Sequence, residues 1–399
     1  MQTLGLTASE KRSLLALLLR SHRLHIDIEL MTLDHTHIGI LTSYLLDGQI
    51  DVDNTQEITR QLSMTLLDDK HHLPFDTDSP ADTALFMDRM VRVNYKVYST
   101  DGGLSYTIPV FTGPITGLQR NGPQVIVTAQ SKEVLAMGNV WPSLTLHKNL
   151  RKTDAIQRLM IEAGEDNNHL HIHDLASKLP HHISLHHTDQ YWMKARQLAR
   201  GMNRQLYYDG SGICKLRTYP GVVYTFKDET NVIGDPQITY AAGMGNTVIV
   251  TGATPKGHKT PITATAVAPA AHPLSPNRLG RNGKPRHILL TGQPLDVSTI
   301  KHQGEADAYA KRKLDDALRE QVEVQFDAVP GCVALLDHGD TCHLTTQHMT
   351  VAFRLSKFSL PLRDGDSASV GYHKNVSLRR YSSRHHHRPV RKHRRHHHR

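Results

Sequence analysis

The chain has 399 residues, enough for two to four modules with their own cores, and its hydrophobic content of 38% is low for one large globule. Nine of its 47 Lys and Arg residues lie between positions 379 and 399, where there is no Asp or Glu. The remaining 38 basic residues balance the 38 acidic ones, which excludes a body that binds nucleic acid through a general positive charge.

A short N-terminal helix is predicted within residues 1–22. Leu14–Leu19 form an apolar run, and Thr7 and Glu10 stand at capping-box spacing before it. The run is too short for the core of a secretion signal or for a membrane span, so we expect neither secretion nor membrane insertion. The three cysteines form no CxxC pair, which is typical of a protein that folds in a reducing cytoplasm.

Residues 23–142 are predicted to form a first β-barrel of short strands. Apolar and polar residues alternate from Val91 to Val97, and Asn121-Gly122 is a hairpin turn signal. Another strand places its apolar residues on one face, with Arg60 as the exception on that face. Residues 68–86 are expected to be a polar loop between strands.

Residues 143–221 are predicted to form an α/β domain. A helix begins at Thr153 and ends at Gly164, and a short strand, His169–His173, follows. The segment Thr188–Leu216 then has a helical stripe, a strand, an Asp-Gly turn and a second strand. Its first two residues, Thr188 and Asp189, are the N-cap candidates of that helix.

Residues 222–376 are predicted to form a second β-barrel. Asn246–Gly252 is a short buried strand. Residues 253–287 are rich in Pro, Ala, Thr, Lys and Gly, so we expect a loop-rich arm without a core over 253–300. A helix is predicted over 304–320, and strands resume after it. The His- and Arg-rich tail at 377–399 is expected to be disordered. The fold class is therefore α+β and mostly β.

Alternating histidines at His169, His171 and His173 are a candidate metal site, because they share a face if the segment is a strand. The alternative is a solvent-facing strand in a chain with 29 histidines. Strand alternation points Asp174 away from the three side chains. We therefore favour the solvent-facing strand and predict no metal ligands and no cofactor.

Two further motifs resemble chemical sites. Gly252–Thr260 is close to a P-loop, but His258 separates the second Gly from Lys259, and Pro261 blocks the helix that would hold the phosphates. The second motif is an acidic and histidine cluster that could be an acid/base set or a tight β-turn. We favour the turn for this cluster, which consists of Asp337, His338, Asp340 and His343.

The basic tail has three interpretations. Clustered Arg releases counterions from phosphate, so the tail could contact DNA or another polyanion. It could also dock on a partner protein, or it could be a solvated end. The candidate contact residues are Arg384, Arg388, Arg391, Lys392, Arg394, Arg395 and Arg399.

Taken in order, these elements resemble the baseplate or tail-tip hub proteins of tailed bacteriophages, the family of the contractile-tail central hub and its siphophage counterparts, the minor tail proteins. The resemblance is carried by four stretches, which together extend to about residue 376: Phe111–Leu135, Thr153–Gly164 with Tyr191–Leu216, Asn246–Gly252, and Gly304–Glu320 with the turn at 335–340. His338 stands where the family usually has Pro before the last Gly-Asp.

The resemblance implies a structural protein with two related β-barrels, and a homotrimer whose six barrels adapt a six-fold tail tube to a three-fold tip. It implies partners as well: a distal tail ring protein, tip or fibre proteins, the tape-measure protein, and DNA that passes transiently through the lumen. The location it implies is the virion tail tip, after assembly in the host cytoplasm.

Two other functions remain open from the sequence. A receptor- or carbohydrate-binding tail component would expose aromatic residues, whereas Trp141 and Trp192 both lie beside apolar segments and are expected to be buried. A metal-dependent hydrolase would use the His169–His173 strand. We predict that the chain is not an enzyme.

Overall fold

The computed structural model describes residues 2, 4–70, 73, 85–218, 220–240, 245–255, 257, 259–290, 292–297, 300, 302–319, 322–347 and 350–374. Most of the predicted polar loop at 68–86 and the whole basic tail at 377–399 lie outside the described residues. The described chain divides into two compact units, the first formed by Met1–Thr239 with Glu323–His373 and the second by Tyr240–Val322 with the segment from Lys374.

Within the described residues the chain forms 22 β-strands and seven α-helices, which confirms the predicted α+β, mostly β class. The strands before the second unit are β1 (His22–Thr32), β2 (His37–Ile40), β3 (Leu45–Asp53), β4 (Arg60–Leu67), β5 (Arg89–Ser99), β6 (Ser105–Asn121), β7 (Gln124–Gln130), β8 (Leu144–Leu146), β9 (Leu170–His171), β10 (Ile183–Leu185), β11 (Gln205–Tyr208), β12 (Cys214–Arg217), β13 (Val222–Lys227) and β14 (Val232–Tyr240). The later strands are β15 (Thr247–Thr251), β16 (Thr263–Val267), β17 (Leu295–Asp296), β18 (Val322–Ala328), β19 (Thr341–Thr345), β20 (Thr350–Arg354), β21 (Lys357–Pro361) and β22 (Ala368–Lys374). The helices are α1 (Ala8–Leu18), α2 (Glu133–Ala136), α3 (Lys152–Glu162), α4 (Tyr191–Arg200), α5 (Pro276–Leu279), α6 (Gln303–Arg319) and α7 (Pro330–Ala334).

Eleven strands of the first unit form one sheet in the order β14-β18-β22-β21-β3-β4-β7-β6-β5-β1-β2. The link between its two halves is the antiparallel pair of β3 and β21, in which Val52 lies opposite Phe358. Strands from both predicted barrel regions therefore share this sheet, and the described strands show no separate closed barrels. The alternating pattern identified the strands, but it does not specify which strand pairs with which.

The long strand β6 changes partner along its length. Its first part pairs with β5 up to Pro114, and its last part pairs with β7 from Ile115 to Asn121. At the change of partner, a Cβ added to Gly113 would overlap the carbonyl oxygen of Gln130, so only glycine fits there. The predicted hairpin turn after β6 is confirmed, with Gly122 at φ 59°.

Helix α1 carries the predicted capping box, in which the Thr7 hydroxyl accepts from the Glu10 amide and the Glu10 carboxylate accepts from the Thr7 amide. Its buried face packs against α7 of the same chain, where Leu18 leaves room for nothing larger than Gly331. The Gln2 side chain adds a hydrogen bond of 2.8 Å to the carbonyl of Ala334. The apolar run therefore has its partner within its own chain.

The α/β region packs around helices α3 and α4, and Trp192 is fully buried in its core against Tyr208 at a centroid distance of 5.8 Å. The predicted N-cap is wrong, because the helix begins at Tyr191 with Gln190 as its N-cap. Asp189 instead accepts a hydrogen bond from the amide of His186 in the preceding turn, at 2.9 Å. A local turn thus uses the carboxylate that the sequence assigned to the helix end.

The second unit has a core of its own, formed by β15 and β16 with the buried stripe of α6. The predicted helix at 304–320 is confirmed as Gln303–Arg319. The expectation of a loop-rich arm over 253–300 is wrong in part, because Thr263–Val267 pairs antiparallel with Thr247–Thr251. Ala264 of this strand and Ala268 just after it are buried, and their small side chains give a weak hydrophobic signal in the sequence.

Candidate functional site

The turn at 337–340 is the centre of a buried ionic network in the first unit. Arg60 of β4 is fully buried, and its Nη2 donates to Asp337 Oδ1 at 2.6 Å while its Nη1 donates to the carbonyl of Val110 at 3.1 Å. The hydroxyl of Tyr207 donates to the other oxygen of Asp337 at 3.3 Å. A buried guanidinium requires such a partner, because an unpaired charge in the interior is strongly unfavourable.

A second ion pair closes the same turn. Arg217 lies 3.1 Å from Asp340 Oδ1 and donates to the carbonyl of His338 at 2.9 Å. The Asp340 carboxylate also accepts from the amide of Asp337 at 2.9 Å, and Gly339 adopts φ 77°. The predicted tight turn is confirmed. Because both carboxylates are paired with guanidinium groups, the arrangement joins three distant segments of the chain.

His338 is buried within this network. Burial, followed by the positive charges of Arg60, Arg217 and Arg196, lowers the pKa of His338 well below its usual value. Its ring packs edge-on against Tyr207 at a centroid distance of 4.6 Å. His338 is therefore neutral at physiological pH and serves as a packing residue.

The three candidate metal-binding histidines do not share a strand face. Strand β9 covers only Leu170–His171, and His169 precedes it in a 3₁₀ turn. The ring of His169 lies 4.2 Å from that of His35, whereas His171 and His173 are exposed. In the part of the chain that the structure describes, no group of three or more His, Cys, Asp or Glu residues is placed to hold a metal ion.

The P-loop-like segment Gly252–Thr260 connects two antiparallel strands, β15 and β16. A phosphate-binding loop needs a helix N-terminus after it, and the chain enters a strand there instead. Lys256 and His258 lie outside the described residues. The segment is therefore a strand connection.

A polar cleft of about 360 Å³ lies beside His169. Lys132 Nζ is 2.7 Å from Glu165 Oε1 and 3.1 Å from His35 Nε2, and the Tyr208 hydroxyl donates to Glu165 Oε2 at 2.7 Å. Desolvation, then the charges of Lys132, His169 and Arg92, lowers the pKa of His35 to about 3. The carboxylate is thus held by several donors, and the cluster is a satisfied network.

Sequence reasoning missed this cleft because its members come from segments far apart in the chain. His35 lies in the turn between β1 and β2 at φ 64°, Lys132 precedes α2, and Glu165 follows α3. None of these positions interrupts an apolar pattern, so the sequence contained no signal that they meet.

Trp141 is the largest departure from the expected burial. Its side chain is 79% exposed. Two hydrogen bonds anchor the loop that carries Trp141. The Trp141 amide donates to the Tyr191 hydroxyl at 3.1 Å, and the Asn139 side chain donates to the carbonyl of His187 at 2.6 Å. The expectation that Trp141 is buried is therefore wrong, and its indole lies in solvent on an anchored loop.

The seven candidate residues of the basic tail lie outside the described residues, so their contacts stay a prediction. Among the described helices, none has both the length and the apolar character that crossing a membrane requires.

No protein-family model matches this sequence, and no curated protein matches it. Solved structures do match its fold. The prophage MuSo2 43 kDa tail protein from Shewanella oneidensis has a TM-score of 0.61 at 10% identity, covering 89% of this chain and 99% of that chain. The tail protein from Neisseria meningitidis MC58 has a TM-score of 0.54 at 11% identity, covering 88% and 96%. The chain has the fold of a phage tail protein.

A chain of the Francisella PdpA–VgrG complex shares this tail-protein fold as well, with a TM-score of 0.51 at 9% identity over 90% of this chain and 54% of that chain. The predicted resemblance to tail hub proteins is therefore confirmed at the level of the fold.

Proposed function

We propose that this protein is a structural hub of a phage tail tip or baseplate and has no catalytic role. The observation that carries the proposal is the fold shared with prophage tail proteins over nearly the whole length of both chains. The paired carboxylates of the 337–340 turn support a structural role, because the network joins distant segments of the chain.

In this proposal three subunits form a ring that adapts the six-fold tail tube and distal tail ring to three-fold tip or fibre proteins. The ring surrounds a channel for the tape-measure protein and, later, DNA. The protein is assembled in the host cytoplasm and resides at the virion tail tip. The near-neutral body supports such a role, because assembly of this kind depends on large complementary surfaces.

The edge of the large sheet offers one such surface. Strand β2 lies at the end of the strand order, and Ile40 on it is 58% exposed. The opposite edge strand, β14, carries Pro236, which cannot donate to a further strand. β2 has neither Pro nor Lys to block pairing, so we propose that it contacts a neighbouring subunit.

We propose that the functional parts of the hub are residues 1–22, 23–142, 143–221, 222–376 and 377–399. The seven cationic residues of the tail would contact a polyanion or a partner protein. We assign this contact to Arg384, Arg388, Arg391, Lys392, Arg394, Arg395 and Arg399.

Light-scattering mass of the purified full chain tests the proposal. We expect about three times the monomer mass of 44.8 kDa. The variant Ile40→Lys should shift the protein toward monomer, because a charge on the edge strand opposes pairing. The control is Leu104→Lys, which also replaces an exposed aliphatic residue by lysine but lies in the β5–β6 turn. A monomer at all concentrations, also with the distal ring protein added, would contradict the hub.

The exposed Trp141 favours one second candidate, a receptor- or carbohydrate-binding tail component. Its indole face can stack on a sugar ring, and the surrounding loop is held in place by Tyr191 and His187. Titration of host-surface polysaccharide with fluorescence detection tests it. Binding that Trp141→Ala abolishes and that Met193→Ala preserves would support this candidate, and no binding to the unmodified protein would reject it.

A further inference from the structure

The second unit contains a long stretch of sequence without negative charge. No Asp or Glu occurs from Pro236 to Leu295, whereas this interval contains six Lys and Arg residues. Four of the six are concentrated in residues 278–286. A balanced total charge in the body of the protein therefore conceals a local excess of positive charge.

These four residues lie within residues 276–286, which we call the basic hairpin: Arg278 is in the short helix α5, and the other three are in the turn that follows it. Arg281 and Lys284 form a β-bridge with hydrogen bonds of 3.2 and 3.0 Å between their backbones. Asn282 and Gly283 between them adopt φ 52° and 73°, the left-handed pair of a tight hairpin turn. The amide of Arg286 then donates to the carbonyl of Pro276 at 2.9 Å, which closes the base.

Asn246 fixes the basic hairpin to the core of the unit. Its fully buried side chain donates to the carbonyl of Leu274, just before the hairpin, at 3.0 Å and to that of Arg286, at the end of the hairpin, at 2.9 Å. Its carbonyl oxygen accepts from the amide of Ile288 at 2.8 Å and from the Thr247 hydroxyl at 2.9 Å. All four hydrogen bonds of the amide are made, so the hairpin is held before any ligand arrives.

The cations themselves are available. Arg278, Arg281, Lys284 and Arg286 are exposed, and within the described residues none of them forms an ion pair. No large apolar side chain of residues 276–287 is exposed. Protein interfaces usually contain a buried apolar or aromatic anchor, whereas nucleic-acid interfaces are polar and strongly positive. The composition of this surface thus fits a phosphate backbone better than an acidic protein.

We infer that the basic hairpin binds the phosphate backbone of nucleic acid without regard to sequence. Arg guanidinium groups pair well with phosphate oxygens, and the hairpin presents three of them beside one Lys. The inference rests on the proposed function for the source of the ligand, since a hub that passes DNA would meet duplex backbone.

Fluorescence anisotropy with a mixed-sequence DNA duplex tests the inference on the full-length protein. The combined variant Arg278→Gln, Arg281→Gln, Lys284→Gln and Arg286→Gln is compared with a control that removes four exposed cations elsewhere. The control is Arg20→Gln, Arg23→Gln, Lys148→Gln and Lys178→Gln. Both variants lose the same charge and keep the basic tail, so the difference between them reports the hairpin.

We expect the hairpin variant to bind DNA about ten-fold or more weakly than the unmodified protein at about 50 mM salt. The negative slope of log affinity against log salt should become less steep by about 3 to 4, as for four lost phosphate contacts. The control should change the slope little. Equal losses in both variants, or no loss in the hairpin variant, would overturn the inference. Unchanged DNA binding with loss of binding to another tail protein would also overturn it and assign the hairpin to a protein contact.

The oligomeric state of each variant, measured as its mass in solution, distinguishes a failure of the DNA-binding inference from a failure of the hub proposal. A monomer whose DNA binding depends on the hairpin would reject the hub and keep the site. A trimer whose DNA binding is indifferent to the hairpin would reject the site alone. Circular dichroism and the thermal midpoint show whether the hairpin variant remains folded.

Discussion

At the scale of the residue, Arg60 is a charged side chain on the buried face of strand β4. In the sequence it interrupts the apolar face of its strand, and in the structure it occupies that same buried face and pairs with Asp337. A charge at a core position predicts a buried partner, but the partner lies 277 residues away and nothing local identifies it.

Breaking this pair should be costly. Arg60→Ala leaves the Asp337 charge buried without its partner, and we expect the free energy of unfolding to fall by about 3–5 kcal/mol. Arg158→Ala is the matched control, because its pair with Glu162 is exposed and spans one helical turn, so the loss should be about 0.5 kcal/mol or less. Urea denaturation measures both, and equal losses would show that the buried network does not stabilise the fold.

His338 predicts a pH dependence. Because its folded-state pKa is lowered, the unfolded chain takes up a proton below about pH 6.5 while the folded chain does not, so stability falls as the pH decreases. One such group contributes a slope of at most about 1.4 kcal/mol per pH unit. His338→Gln should flatten the stability profile between about pH 6.5 and 5, whereas His171→Gln, at an exposed position, should not. If stability depended on pH in the same way in both variants, the lowered pKa of His338 would not be the cause of the pH dependence.

At the scale of the element, the Asp209–Gly212 turn packs closely on β6. A Cβ added to Gly210 would overlap the carbonyl oxygen of Pro109, and the Thr112 hydroxyl donates to the Gly210 carbonyl at 3.1 Å. We expect Gly210→Ala to lower the free energy of unfolding by about 1–3 kcal/mol, as overpacking does. Gly39→Ala meets only open space, and its thermal midpoint should stay close to that of the unmodified protein.

Elements with strong local signals were predictable. The capping box and apolar stripe identified α1, and the same kind of stripe identified α6. Strand β16 was missed, because Ala264 and Ala266 offer little apolar area and the flanking prolines resemble a loop. Trp141 was expected to be buried, and its exposure depends on which side of the loop packs, which periodicity does not record.

At the scale of the whole molecule, the sequence predicted the class and not the pairing. Alternation located the strands of both halves, but the eleven-stranded order depends on β3 meeting β21, and side-chain period is the same for any partner. For the candidate sites, too, the sequence predicted local features but not the contacts between distant residues. The tight turn was predicted from local Asp and Gly, whereas its partners Arg60 and Arg217 required the folded chain.

Class averages of the purified full-length protein by negative-stain electron microscopy test the central claim most directly. The hub account predicts a three-fold ring with a six-lobed outline, because three subunits would place two related β regions each around one channel. A single particle without a ring, at high concentration and with the distal ring protein present, would contradict the account, as would a ring whose symmetry is not three-fold.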